Sequence, residues 1–302
     1  MVSFFEKIKQ RSEEINSLLC VGLDPHIDDL SENSSKDVFN FCKYLIDQTN
    51  DIAVAYKPNI AFFEQFGAEG YTILQDIIQY IPNEIPVILD AKRGDINSTC
   101  KGYVTSTFDH LKADCITLNP YLGVDSISPF LNNKSKGCFV LCKTSNYSSN
   151  EIQSIKTKQN FKLYEHIALL INEWEHIYTD QLGLVVAAND KEALQNVRCL
   201  INDNIWILAP GLGAQGGDIE AAVQYGCNSK KTGILFPISR GISRAENPRE
   251  KAIEFRDTIN KIRTHIDISN INYYDKRKQF IEFILSKQVL QYGSFTLKSG
   301  MK

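Results

Sequence analysis

Eight apolar runs, each handing over to an amphipathic stretch, set the tightest limit on what this chain can fold into. The runs are Leu18–Asp24, Val54–Asn59, Pro86–Lys92, Cys115–Pro120, Cys138–Thr144, Gly183–Ala188, Trp206–Gly211 and Thr232–Ser239. The stretches that follow are Lys36–Asn50, Phe62–Ile81, Thr99–Leu111, Ser126–Leu131, Phe161–Tyr178, Asp190–Ile201, Asp218–Tyr225 and Pro248–Arg263. Apolar runs of strand length alternating with helical patterns indicate parallel strands joined by crossover helices. Eight such units, over about 265 residues, are the size of a closed (β/α)8 TIM barrel, an α/β fold. A doubly wound open sheet is the alternative. The strand number and the lack of a G-x-G-x-x-G after the first strand argue against it.

The remaining sequence divides into three parts. The N-terminus, Met1 to Lys7, passes into a charged helical pattern and not into a signal peptide. Ser148–Gln159 is polar and reads as an exposed connection. After a break at Asp267–Tyr274, the segment Asp275–Gln291 is helical and charged, a C-terminal helical extension to the barrel.

Composition serves mainly to exclude. A net charge of −3 supplies no basic field for nucleic acid or a membrane surface. No apolar stretch is long enough to span a bilayer, so a cytoplasmic protein is expected. The eight cysteines contain no C-x-x-C pair, and four of them (Cys20, Cys115, Cys138 and Cys142) lie in strand-like runs, where they read as small core residues. The five histidines lack metal-ligand spacing, and no metal site is expected.

Barrels of this kind place their chemistry at the C-terminal ends of the strands. The polar residues there are Asp24, Lys57, Asn59, Asp90, Lys92, Asn119, Thr144 with Ser145 and Asn146, Asn189, Gln215 and Arg240. The densest group is Asp90-Ala91-Lys92-Arg93-Gly94-Asp95-Ile96. Strand alternation turns Asp90 and Lys92 the same way, and Asp95 can fold back towards them. Buried charges must be paired, so a carboxylate beyond the one that satisfies Lys92 needs a reason. Repulsion of a negative substrate group that the reaction removes is one; a structural ion pair is the other. The loops after strands seven and eight suit a phosphate. Glycines in Ala209–Gly217, beginning Ala209-Pro210-Gly211, let the backbone approach a ligand, and Gln215 adds an amide donor. Arg240 can form a bidentate pair with phosphate beside the Gly241 N–H.

These motifs together resemble orotidine 5′-monophosphate decarboxylase, in wording its longer subgroup. They are Leu18 to Pro25, Tyr56-Lys57-Pro58-Asn59, Leu89 to Ile96, Lys143-Thr144-Ser145-Asn146, Ala209 to Gly217 and Ser239-Arg240-Gly241, in order and at strand ends. The resemblance covers residues 1–265. It implies a homodimeric (β/α)8 barrel that needs neither metal nor organic cofactor and converts orotidine 5′-monophosphate to uridine 5′-monophosphate. It further implies that Lys92 protonates C6, that Asp90 lies against the substrate carboxylate, and that Lys57 completes the charge network and reaches the ribose. Asp95 and Thr99 would enter the partner's site, with Ile96 beside them. Asp24 would bind ribose hydroxyls, with Asn59 nearby; Thr144 and Ser145 would read the pyrimidine; Pro210, Gln215, Arg240 and Gly241 would line the phosphate end. Tyr147 stands where the subgroup has Pro, Asn97 stands where it has Gly, and the phosphate loop carries no large insertion.

Phe280–Lys302, with Gly293-Ser294-Phe295-Thr296-Leu297-Lys298-Ser299-Gly300, resembles the N-terminus of orotate phosphoribosyltransferase. The expectation is a linker and transferase fragment over 266–302, the front of a decarboxylase–transferase fusion cut before its second active site. Two other functions compete. Magnesium-dependent sugar-phosphate barrels share Asp-x-Lys-x-x-Asp, but they need acidic ligands on the strands, and the second strand here ends in Lys57 and Asn59. A non-catalytic phosphate-binding scaffold would bind substrate without turnover.

Overall fold

The structure, a computed structural model, describes residues 2–32, 34–212 and 218–266. Among these, eight parallel strands form one sheet in the order β2-β1-β8-β7-β6-β5-β4-β3. They are β1 Leu19–Leu23, β2 Ala55–Pro58, β3 Ile88–Arg93, β4 Cys115–Leu118, β5 Gly137–Lys143, β6 Leu182–Val186, β7 Trp206–Leu208 and β8 Ile234–Ile238. The ends of the sheet meet through the single bridges Tyr56↔Val87 and Asn59↔Asp90, which close the barrel between β2 and β3. Every residue of β1, β6 and β8 is buried, as expected for strands packed by helices outside and by side chains within.

The helices are α1 Phe4–Glu14, α2 Ser35–Thr49, α3 Ala61–Glu64, α4 Gly67–Tyr80, α5 Asn97–Val104, α6 Ser149–Gln153, α7 Leu163–Glu175, α8 Lys191–Leu200, α9 Ile219–Gly226, α10 Arg240–Ser243 and α11 Pro248–His265. Several start on a side-chain cap that satisfies first-turn N–H groups. Ser34 accepts from Asp37 N, Asp190 from Ala193 N, and Asn247 from Glu250 N, with Pro248 at the first helical position. Helix α1 covers the lower end of the barrel. Its Phe4 and Phe5 pack edge-on to Phe139, at 6.2 and 5.2 Å between ring centroids. The chain approaches β5 closely enough there that a Cβ on Gly137 would lie 2.6 Å from the Phe4 ring.

The structure redraws three expected elements. The stretch expected over 62–81 breaks at Gly67, whose φ of +63° ends α3 and begins α4. The stretch expected over 126–131 belongs to a series of 3-10 turns, Pro120–Leu122, Val124–Ser126 and Ser128–Leu131. Gly123 and Pro129 interrupt any α-helix there. The polar connection over 148–159 contains α6, and Ser149 is buried in it. All eight cysteines are buried, in keeping with their core reading. The C-terminal extension lies outside the described residues.

Candidate active site

Three charged side chains meet at the upper end of β2 and β3. Lys57 Nζ donates to Asp90 Oδ2 at 2.9 Å, and Lys92 Nζ donates to Asp90 Oδ1 at 2.6 Å. Burial differs along this chain: the side chains of Lys57 and Asp90 are 9% and 12% exposed, that of Lys92 47%. Burial works against the Asp90 carboxylate, but Lys57 and then Lys92 outweigh it and hold the group well below the usual carboxylate range. Burial likewise opposes the Lys57 ammonium; Asp90 and then Asp24 more than offset this and hold it above the usual lysine range. The result is a fixed plus–minus–plus array with one cation open to a ligand.

Asp90 and Lys92 do point the same way, though not through plain strand alternation. Lys92 has a φ of +49°, in the left-handed region that a lysine rarely adopts. The β3–β4 register shifts between Leu89 and Arg93, so the segment carrying both charges bulges from the ladder.

Asp95 is not joined to this array. Its carboxylate accepts from the Ile96 N–H at 2.8 Å, and among the described residues it forms no ion pair with either lysine. It lies in the short connection between the end of β3 at Arg93 and the start of α5 at Asn97. Ile96 and Thr99 are exposed alongside it.

Asp24, Lys57, Pro210, Arg240 and Gly241 share a cavity of about 190 Å³ with His26, Phe62 and Ser239. Two polar atoms at this cavity, Asp24 Oδ1 and Ser239 Oγ, are buried without a hydrogen-bond partner. Such atoms are costly to leave unpaired and mark where a polar ligand belongs. Gly22 makes the fit possible, since a Cβ there would lie 2.7 Å from Ser239 Cβ. Asn59 lies at the top of β2, pairs with Asp90 across the closing seam, and accepts from Ala61 N. Gln215 lies outside the described residues.

The sequence profile of the orotidine 5′-phosphate decarboxylase / HUMPS family matches residues 17–255. An orotidine 5′-phosphate decarboxylase of Roseiflexus castenholzii is 39% identical over 269 residues, 86% of this chain and 98% of its own length. The chain belongs to the orotidine 5′-phosphate decarboxylase family. The Dehalococcoides mccartyi decarboxylase is also 39% identical, over 87% of this chain and 99% of its own. Among solved structures, Leishmania donovani OMP decarboxylase superposes with a TM-score of 0.79 at 43% identity, covering 87% of this chain and 99% of its own. Leishmania donovani UMP synthase gives 0.83 at 42% identity, over 99% of this chain and 63% of its own.

The barrel also holds polar side chains to which the sequence reading gave no role. Lys143, 3% exposed, donates to Ser149 Oγ at 2.6 Å and lies 3.6 Å from Asp190 Oδ2. Gln153 Oε1 accepts from Thr144 N at 2.9 Å, while its Nε2 donates to Thr144 Oγ1 at 2.8 Å. Both contacts clamp the loop that carries Thr144 and Ser145. Thr117, on β4, bonds directly to the Asp90 carboxylate. A lysine and a threonine inside otherwise apolar strands are the signals that mark them.

Proposed function

We propose that the Lys57–Asp90–Lys92 array is the reacting face on which this decarboxylase works. The chain converts orotidine 5′-monophosphate to uridine 5′-monophosphate and CO2, a step of pyrimidine biosynthesis. The C6–carboxylate bond breaks, CO2 leaves, and its bonding electron pair stays on C6. Nothing in the ring delocalises that pair, so a fixed positive charge must stabilise it. Lys92 supplies the charge and then a proton to C6. Asp90 lies against the departing carboxylate and disfavours the bound ground state. Lys57 holds Asp90 and reaches the ribose, whose hydroxyls satisfy the unpartnered Asp24 Oδ1. The observation that carries this reading is one buried carboxylate held between two ammonium groups, of which only one is half exposed.

Arg240 and the Gly241 N–H hold the phosphate, with Gln215 and Pro210 completing that end. Binding energy from this remote group supports the chemical step. Thr144 and Ser145 read the pyrimidine edge, with Asn59 close to the ribose. The active species is a homodimer in which Asp95 and Thr99 complete the partner's site, with Ile96 contacting substrate. An Asp95 that pairs with neither lysine of its own chain supports this, as does the exposed apolar surface of Ile96, Tyr121, Leu122 and Val124. Residues 266–302 form the linker and start of an orotate phosphoribosyltransferase domain beside the 1–265 barrel; the alignment with UMP synthase, which reaches 99% of the chain, supports that. We place the enzyme in the cytoplasm. Among the described residues no helix is long and apolar enough to cross a membrane.

The magnesium-dependent sugar-phosphate reading is not favoured, because β2 presents Lys57 and Asn59 where an acidic ligand is required. Ultraviolet absorbance of orotidine 5′-monophosphate with excess chelator tests the assignment. Sustained turnover is the expected result, and inhibition by the chelator would refute a metal-free reaction. Tight binding of uridine 5′-monophosphate without turnover would instead reduce the chain to a scaffold.

A further inference from the structure

Strand β3 is thinly held on both edges where it carries Asp90 and Lys92. Towards β2 it has the isolated bridges at Val87 and Asp90. Towards β4 the ladder pairs Leu89↔Ile116 and resumes at Arg93↔Leu118, so Asp90, Ala91 and Lys92 pass opposite Thr117 alone. N–H groups freed from a ladder inside a barrel need other acceptors. Thr117 Oγ1 accepts from Ala91 N at 3.0 Å and from Lys92 N at 2.9 Å. The same hydroxyl donates to Asp90 Oδ1 at 3.0 Å. A hydroxyl has one proton and two lone pairs, so these three bonds use its whole capacity. Thr117 is 1% exposed, so bulk solvent does not compete for these bonds.

We propose that Thr117 is a positioning residue for decarboxylation: its hydroxyl closes the β3 bulge and thereby fixes the left-handed backbone of Lys92 and the orientation of the Asp90 carboxylate. The inference rests on the role proposed for Lys92. Thr117 belongs to a different strand from either charge and acts only through them. One side chain joins two parts of the array that must stay in register: the backbone that aims the cation and the oxygen to which that cation is paired. Asp90 Oδ1 receives both the Thr117 hydroxyl and the Lys92 ammonium, so a shift in one is felt by the other. Small displacements of a reacting group are expensive, with about 1 Å costing on the order of 10²-fold in rate.

Thr117→Val keeps the shape and removes the hydroxyl; Thr117→Ser keeps the hydroxyl and removes a methyl. Steady-state kinetics with orotidine 5′-monophosphate and titration with uridine 5′-monophosphate are run on both, beside the wild type. We expect Thr117→Val to lose roughly 10²-fold in kcat with KM and product affinity within about threefold. Thr117→Ser should stay within about threefold of wild type. Unchanged kcat in Thr117→Val would overturn the proposal. So would an equal fall in Thr117→Ser, which would make the methyl packing responsible, or a loss of product affinity matching the loss of kcat. Should Thr117→Val not fold, Thr117→Ala against Thr117→Ser decides the same question, and equal turnover in those two overturns it. A wild type that binds product but turns nothing over removes the decarboxylase role itself, and this inference with it.

Discussion

Two buried charges lie at opposite ends of the barrel, and they are satisfied in opposite ways. Near the foot, Arg198 of α8 is 0% exposed and donates to three backbone carbonyls: Gly226 O at 2.9 Å, Ile205 O at 3.0 Å and Gly233 O at 2.7 Å. At the mouth, Asp90 is held by two lysines and a threonine, beside a cavity where Asp24 Oδ1 and Ser239 Oγ have no partner. The first arrangement joins the end of α9, the approach to β7 and the approach to β8 through one guanidinium and three backbone carbonyls. The second is built from titratable groups on a bulged, left-handed segment, and it leaves polar capacity open. Burial alone therefore does not mark a functional charge; unused capacity beside it does.

The sharpest way to break this contrast is to remove each cation. Lys92→Ala should lower kcat at least about 10³-fold while the thermal midpoint hardly moves, because the removed group is half exposed. Retained turnover would end the assignment. Arg198→Met should do the reverse. Three carbonyls lose a charged donor at once, so about 3 kcal/mol or more of stability should go, lowering the midpoint by roughly 6–12 °C. The kcat of the folded fraction should hold, and calorimetry beside kinetics checks both halves. Arg240→Ala should weaken orotidine 5′-monophosphate binding by about 10²-fold and leave the nucleoside orotidine nearly unaffected. Equal losses for the two ligands would remove the phosphate assignment. Mixing Lys92→Ala with Asp95→Ala subunits should restore about a quarter of wild-type activity, since random exchange rebuilds one intact site in each mixed dimer. No recovery after demonstrated exchange would mean that the site is not shared.

The smallest expected effect is in pH. Asp90 is held low, so its contribution to stability is present above the ordinary aspartate value of about 3.9 and is lost as pH falls through its lower native value. Lys57 is held high, so its contribution is present below about 10.4 and is lost as pH rises through its higher native value. Between those limits denaturant midpoints should not move on account of this pair. A transition near neutrality that disappears in Asp90→Asn would contradict a charged Asp90 paired with a charged Lys57.

The strands were legible because most combine an apolar run with an amphipathic helical successor, and burial on both faces leaves little ambiguity. The charged cluster was legible where charge interrupts those runs, as at Lys57, Asp90 and Lys92, which the structure brings together. What escaped depended on contacts between distant strands. Thr117 looks unremarkable in Cys-Ile-Thr-Leu until the β3 bulge lies opposite it. Asp95 looks like a third member of the array because strand ends suggest continuation, yet it accepts from the Ile96 N–H and pairs with neither lysine. The 3-10 turns after β4 follow from Pro120, Gly123 and Pro129, whose breaking power outweighs the apolar spacing around them.

The buried cysteines give the fold a property unrelated to its chemistry. Burial pushes the Cys20 and Cys227 thiols up to about 12, and it raises Cys42, Cys115, Cys138 and Cys142 as well. Thiolate is the form that alkylating reagents attack, so the intact barrel should be nearly silent towards them near neutral pH. Once the barrel opens, the same thiols return to ordinary acidity and react. Alkylation, counted by mass, thus becomes an internal clock for unfolding, in which each labelled molecule records an opening event.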